Sequence, residues 1–231
     1  MACKMIYLAR RNPALSAAAF PQAWREHAAL GAGCANVRER VVGVTQCSRD
    51  LAHSAALAGA TADYDGVNLL VLKDRQAADD IWSDEATLRI MRPDEPRVFS
   101  TYVRNFTLVA DEVVLHAGAA GDGVVVAFLR LRPQTDPAAL AGVLAATAAA
   151  RWRADPALGA SQRLVLNRVD GAPPPGYEYA LIVEAWYPDP AAAAAAFGST
   201  RLAECLPAAL AACIDADASV VMLARVTHRR S

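Results

Sequence analysis

The 231-residue chain contains two stretches that begin alike, and this internal repeat constrains its fold more than any other feature. The first half starts MIYLARRNPALSAAAFPQAWREH, and the second starts VAFLRLRPQTDPAALAGVLAATA. In both, an apolar strand leads into a proline-marked turn, a helix-capping residue (Ser16 or Asp136) and large apolar residues four positions apart. Such self-similarity indicates one supersecondary unit used twice.

The later parts of the two halves also correspond. YDGVNLLVLKDRQAADDIW and YEYALIVEAWYPDPAAAAAAF each read as a tyrosine-led strand, a turn and an alanine-rich helix. Second strands are predicted near 38–48 and 160–169, and closing strands near 101–109 and 219–228. Each half therefore has the order β-α-β-β-α-β, which is the ferredoxin-like motif.

The repeat also predicts how the two units pack. A four-stranded sheet with helices on one side leaves its other face bare, and two such sheets cover each other when they meet. The segment HAGAAGDG at 116–123 is typical of a linker, and apolar strands such as YALIVEAW are typical of burial on both faces. We predict an α+β protein in which two tandem ferredoxin-like repeats, residues 1–116 and 117–231, form an eight-stranded α+β barrel.

Charge and hydropathy exclude several classes of partner. The 23 basic and 24 acidic residues give a net charge of −1, so the chain lacks the excess of positive charge that is typical of nucleic-acid-binding proteins. The N-terminal MACKMIYLARR lacks the features of a signal peptide, and stretches such as PAALAGVLAATAAA are too short to span a bilayer. We expect a cytoplasmic protein with no membrane partner, and a homodimer because most oligomers are two-fold.

Cysteines and histidines do not form a metal-binding pattern. The five cysteines lack CxxC spacing, and we interpret them as small buried residues, with a reactive thiol as the alternative. His53 lies in a predicted loop, His116 in the linker and His228 at the tail, so we expect no metal site. The acidic pairs at 79–80, 84–85 and 94–95 are expected to start helices or to face solvent.

The segment SAAAFPQAWREHAAL, residues 16–30, is the most informative for function. We expect Ser16 to cap a helix on which Phe20, Trp24 and His27 share the face toward the sheet. A histidine between aromatic residues has two interpretations. It is either a core residue bonded to a backbone carbonyl or a partly desolvated imidazole in a pocket, suited to proton transfer.

Three motifs resemble the EthD domain of the dimeric α+β barrel superfamily. The first strand ends in RR-x-P and is followed by F-x3-W-x2-H-A-x-L, and the segments W-S-D-E-x-T-L (82–88) and R-P-D-E-x-R-V-F (92–99) resemble the family's second-helix region. The resemblance covers about residues 4–110 of this chain. Thr147 takes the place of His27 in the second half, so we expect one pocket per chain, within residues 1–116.

The resemblance implies binding of a small hydrophobic compound, aromatic or polyketide-like, between sheet and helices. Related barrels include cofactor-free polyketide cyclases, anthrone oxygenases and isomerases, so the protein is expected to be such an enzyme or a non-catalytic accessory protein for a catabolic oxygenase. His27 would be a general base. The expected pocket residues are Phe20, Trp24 and Trp82 as walls and Tyr7, Asn68 and Tyr102 as polar contacts. No cofactor is expected; some related barrels bind haem, but no histidine stands out as its axial ligand.

Overall fold

The computed structural model describes residues 3–147 and 149–230. Within these residues, eight strands form one closed antiparallel barrel. The strands are β1 (Cys3–Ala9), β2 (Val41–Arg49), β3 (Gly66–Leu72), β4 (Thr107–His116), β5 (Gly123–Leu131), β6 (Arg163–Val169), β7 (Leu181–Tyr187) and β8 (Ile214–Arg230).

Helices lie on the outside of the barrel, and most are short. The first half contains α1 (Phe20–Leu30), α2 (Ala35–Arg40), α3 (Arg75–Asp80), α4 (Glu85–Ile90) and α5 (Glu95–Val98). The second half contains α6 (Pro137–Ala146), α7 (Ala149–Trp152), α8 (Pro156–Gly159), α9 (Pro190–Phe197), α10 (Leu202–Cys205) and α11 (Ala208–Ala211). Single 3₁₀ turns occur at Gly31–Gly33, Ser54–Ala56, Arg92–Asp94 and Val103–Asn105. No helix in the described parts of the chain has both the length and the apolar character needed to cross a bilayer.

The order of strands around the barrel is β1-β3-β2-β8-β5-β7-β6-β4. The first half therefore runs β4-β1-β3-β2 and the second β8-β5-β7-β6, which is the same order in both. The halves join through β2 with β8 and β4 with β6, so the predicted α+β barrel within one chain is confirmed. The division into domains at residue 116 stays a prediction.

Successive residues of each strand point alternately into the barrel and toward the helices. In β1, Lys4 points inward, where its Nζ donates to Glu184 Oε1 at 2.8 Å and also contacts Glu112. Asn167 Nδ2 and Trp186 Nε1 donate to the Glu184 carboxylate at 2.8 and 3.0 Å. An ion pair with further hydrogen bonds thus lies inside the barrel and connects β1 of the first half with β4, β6 and β7.

The closing strands differ from their predicted bounds. Residues 101–106 are not a strand, because the Val103 N–H is bonded to Glu95 Oε2 at 2.8 Å and the chain turns at Val103–Asn105. β4 instead continues to His116 beside β6, which leaves 117–122 as the connection to β5. β8 is likewise longer than predicted, since its pairing with β5 continues past a register shift to Ile214.

Three further boundaries, the starts of β2, β6 and α1, were predicted too early in the chain. The second strand begins at Val41 because α2 occupies the preceding residues, and β6 likewise begins at Arg163. Helix α1 begins at Phe20, with Pro21 in its first turn. Ser16 caps the preceding turn, where its Oγ accepts from the Ala19 N–H at 3.1 Å.

Candidate functional site

Helix α1 presents one aromatic face to the outer surface of the first-half sheet. Phe20, Trp24 and His27 are all buried on this face, as their spacing predicts. The rings of Phe20 and Trp24 lie 5.0 Å apart, and Phe99 packs edge-on against Trp24 at 5.8 Å and His27 at 5.5 Å. The contact with Phe99 therefore fixes the position of the His27 imidazole on one side.

A cavity of about 310 Å³ lies between this helix and the sheet, within the range typical of small-molecule sites. Its apolar walls come from α1, from β3, from the region of α2 and from the segments around α3 and α4. They include Trp24, Val37, Leu70, Ile81, Trp82 and Met91. A mostly apolar wall favours ligands with a large hydrocarbon surface.

The floor of the cavity carries one row of polar side chains from four adjacent strands. Tyr7 of β1 is opposite Asn68 of β3, which is opposite Gln46 of β2, which in turn is opposite His228 of β8. Directly opposite residues share one face of a sheet, and all four line the cavity. The apolar pocket therefore has a polar strip across its floor.

His27 is paired with a carboxylate. Its Nδ1 lies 3.0 Å from Oδ2 of Asp94, which ends the 3₁₀ turn before α5. The guanidinium of Arg97 donates to the same carboxylate, from Nε at 2.6 Å and from Nη2 at 3.0 Å. Asp94 is thus held between a permanent cation and the imidazole.

Burial lowers the pKa of His27 from its ordinary value, although the hydrogen bond and charge of Asp94 act in the opposite direction. The hydrogen bond from Arg97 lowers the pKa of Asp94, which is therefore ionised at neutral pH. Because a carboxylate only accepts, Nδ1 of a neutral His27 carries the hydrogen and Nε2 has a free lone pair. No group in residues 3–147 or 149–230 hydrogen-bonds to Nε2. This arrangement suits a general base.

Glu95, the residue after Asp94, is a second titratable group of the cavity. It is buried, and this burial raises the pKa of its carboxyl although the Val103 N–H bond opposes the shift. Glu95 begins α5, so the acidic pair at 94–95 does start a helix, which was one of its two expected roles, but Glu95 does not face solvent. Asp84 does start a helix, since its carboxylate accepts from the Thr87 N–H at 2.8 Å.

The structure brings five of the seven predicted site residues to one cavity: Tyr7, Trp24, His27, Asn68 and Trp82. Phe20 lies beyond Trp24 in the core and does not line the cavity. Tyr102 points away, with 41% of its surface exposed and the Arg92 guanidinium 4.7 Å from its ring centre. The turn at Val103–Asn105 replaces the expected strand and removes Tyr102 from the sheet.

Sequence reasoning missed Asp94, Glu95, Gln46 and His228. His228 was expected in a tail, but it lies in β8 and lines the cavity with Arg230. The prediction that the pocket is confined to residues 1–116 is therefore wrong, because the second half supplies part of its lining. The R-P-D-E segment was a visible signal for Asp94, whereas Gln46 and His228 required knowledge of the strand register.

The remaining histidines and cysteines form no metal site. No group of three histidine, cysteine or acidic residues in the described parts of the chain is arranged to hold a metal ion. His53 pairs with Asp50, 2.9 Å from Nδ1, and His116 ends β4. Burial raises the pKa of the Cys47 and Cys205 thiols, which makes them poor nucleophiles.

The fold and the cavity define an α+β barrel protein with a mostly apolar pocket between sheet and helices. Residues 12–101, in the first half of the chain, match the EthD domain. This segment includes α1, His27 and Asp94. None of the curated proteins compared with the chain matches it in sequence.

Solved structures with the same fold cover the whole chain. One is titled an "anthrone oxidase-like protein" (TM-score 0.61, 13% identity, covering 100% of this chain and 93% of that one). Another is a "putative monooxygenase" from Lactobacillus acidophilus NCFM (TM-score 0.54, 6% identity, 100% and 95% coverage). A third, with the same description, is from Fusobacterium nucleatum (TM-score 0.54, 8% identity, 100% and 93% coverage). At these identities the likeness shows the fold alone.

Proposed function

We propose that the chain binds a small aromatic or polyketide-like compound in the cavity and that His27 removes a proton from it. The observation that carries this proposal is the pairing of His27 Nδ1 with Asp94 at the wall of a mostly apolar cavity. The carboxylate fixes the imidazole tautomer and stabilises the imidazolium that forms when Nε2 takes a proton. Burial keeps the imidazole neutral at physiological pH.

A ligand with an acidic C–H or O–H group is the substrate that this arrangement suits. Proton removal leaves an anion whose charge the aromatic system spreads, and its fate decides the overall reaction. If the anion is protonated at a different atom, the reaction is an isomerisation. If the anion attacks a carbonyl group of the same molecule, the reaction is a cyclisation. The carbanion formed from a CH₂ group can instead add dioxygen to give a peroxide anion, which takes the proton back from the His27 imidazolium. Loss of water from the resulting hydroperoxide then gives C=O. All three proceed without a bound cofactor, and the neighbour titled anthrone oxidase-like makes anthrones the first compounds to test.

The alternative function is a non-catalytic ligand-binding or accessory protein for a catabolic oxygenase. It needs the cavity but not a free imidazole nitrogen. The bond of His27 to a carboxylate rather than to a backbone carbonyl favours the enzyme. We further propose that the protein acts in the cytoplasm as a homodimer, since most soluble oligomers are two-fold.

Deuterium exchange separates the two functions. Anthrone is incubated with the protein in D₂O under nitrogen, and deuterium entering its CH₂ group is followed by mass spectrometry. Wild-type protein is expected to accelerate exchange. In His27→Gln the acceleration should be about 10²–10⁴-fold smaller. His53→Gln is the matched control, because His53 also contacts an aspartate but lies outside the cavity. Binding of anthrone without accelerated exchange would favour the accessory protein.

A further inference from the structure

We propose that the cavity selects hydroxylated aromatic compounds and that Asn68 and Gln46 bind their hydroxyl group. This inference rests on the proposed function and deepens it by naming the substrate class. It comes from the polar strip on the cavity floor and not from the His27–Asp94 pair.

Two buried acceptors of this strip have no partner. Asn68 is 5% exposed and Gln46 is fully buried, and no described group donates to Asn68 Oδ1 or Gln46 Oε1. A buried acceptor without a donor is costly, so such groups in proteins are normally satisfied by a partner. Here both oxygens belong to side chains that line the cavity.

The two amides are close enough to serve one ligand group. Gln46 and Asn68 are directly opposite each other on β2 and β3. Gln46 is also bonded to α1, since its Nε2 donates to the Trp24 carbonyl at 3.5 Å. The Gln46 side chain is thus held between the sheet and the helix that carries His27. A hydroxyl bound there lies on the same floor as Tyr7, with the ring against the apolar walls.

The chemistry of the strip distinguishes between ligand classes. A hydroxyl both donates and accepts, which matches an amide in either role. A hydrocarbon or an ether offers no donor and leaves the two oxygens unpaired. A carboxylate brings further acceptors to them. An ammonium group is disfavoured by the two arginines, Arg25 and Arg230, that also line the cavity.

Calorimetric titration of the wild-type protein with three matched probes tests the inference. The probes are 1-naphthol, 1-methoxynaphthalene and naphthalene, which share one ring system. We expect 1-naphthol to bind about tenfold to a hundredfold more tightly than the other two. In Asn68→Leu this preference should disappear, while the affinity for naphthalene stays within about twofold. Gln46→Met is the second variant and should reduce the preference in the same way.

The outcomes separate this inference from the proposed function. Equal affinities for the three probes, or a preference that both variants retain, overturn the inference while leaving His27 as a base. Failure of all three probes to bind overturns the inference and the proposed pocket together. A 1-naphthol preference that requires Asn68, with no His27-dependent exchange of anthrone, supports the inference and leaves the protein a binding protein.

Discussion

The Nδ1 atom of His27 lies 3.0 Å from Oδ2 of Asp94, a residue 67 positions further along the chain. The pair connects α1 to the turn before α5 and places the imidazole at the edge of the cavity. Arg97, three residues after Asp94, neutralises the carboxylate from its other side. The orientation of His27 is therefore set by the segment that follows α4.

The pH dependence of proton transfer follows from this pair. Because burial lowers the pKa of His27 from its ordinary value of 6.5, the imidazole stays neutral at pH values somewhat below 6.5. The exchange rate should be flat near neutral pH and should fall in acid, as His27 is protonated. Asp94→Asn removes a charge that raises this pKa, so the acidic limb should move to lower pH. The plateau should also fall, since an amide can donate to Nδ1 and select the wrong tautomer.

The same shift predicts how His27 affects stability. A histidine whose pKa is depressed by folding binds protons more readily when unfolded, so its contribution is complete above the unfolded value of 6.5. This contribution to stability is lost as the pH falls from 6.5 through the pKa of His27 in the folded protein. When the free energy of unfolding is measured with denaturant and plotted against pH, wild type and His27→Gln should therefore differ in slope only in this acidic window. Equal slopes for both proteins would contradict the assigned shift.

The sequence predicted the barrel because its repeat is local and regular, and the spacing of Trp24 and His27 on one helix indicated the pocket face. Other parts of the site are non-local. Asp94 reaches His27 only through tertiary packing, and Gln46 meets His228 only through the register between β2 and β8. Periodicity within single segments contains no information on either relationship.

Lys4 provides a test of the barrel interior. Burial alone lowers its pKa, but the carboxylates of Glu184 and Glu112 outweigh this and raise it, so the ammonium is charged inside the barrel. Lys4→Met leaves the buried Glu184 without its cation, whereas Glu112 keeps Arg163 at 3.3 Å, and it should lower the free energy of unfolding by about 3–5 kcal/mol. Lys73→Met is the matched control, because Lys73 is the other lysine of the chain and is exposed. Its effect should stay within about 0.5 kcal/mol in urea unfolding.

Replacing Glu184 together with Lys4 refines this test. The double variant Lys4→Met/Glu184→Gln should recover part of the loss, because one uncompensated charge is removed. If Lys4→Met unfolds at the same urea concentration as Lys73→Met, the interior ion pair has no structural role.

Gly66 at the start of β3 tests the packing of α1 on the sheet. A Cβ there would collide with the ring of Trp24 and lie 2.9 Å from the Cys47 carbonyl oxygen and 3.2 Å from Phe20 Cε1. Gly66→Ala should therefore cost about 1–3 kcal/mol of stability and weaken ligand binding, because Trp24 lines the cavity. In Gly43→Ala the nearest atom is 3.4 Å away, so this variant is the matched control for both measurements. Equal effects of the two substitutions would show that α1 does not pack as described.

The central claim is that His27 acts on a ligand and is not a core residue. The most direct test measures the melting temperature and the anthrone exchange rate on the same sample of His27→Gln. One hydrogen bond is lost while Asp94 keeps Arg97, so we predict a cost of about 1 kcal/mol, which corresponds to a drop of about 2–4 °C. Exchange should fall to the background rate in protein that remains folded. A much larger drop in melting temperature, with wild-type exchange in the folded fraction, would contradict the claim.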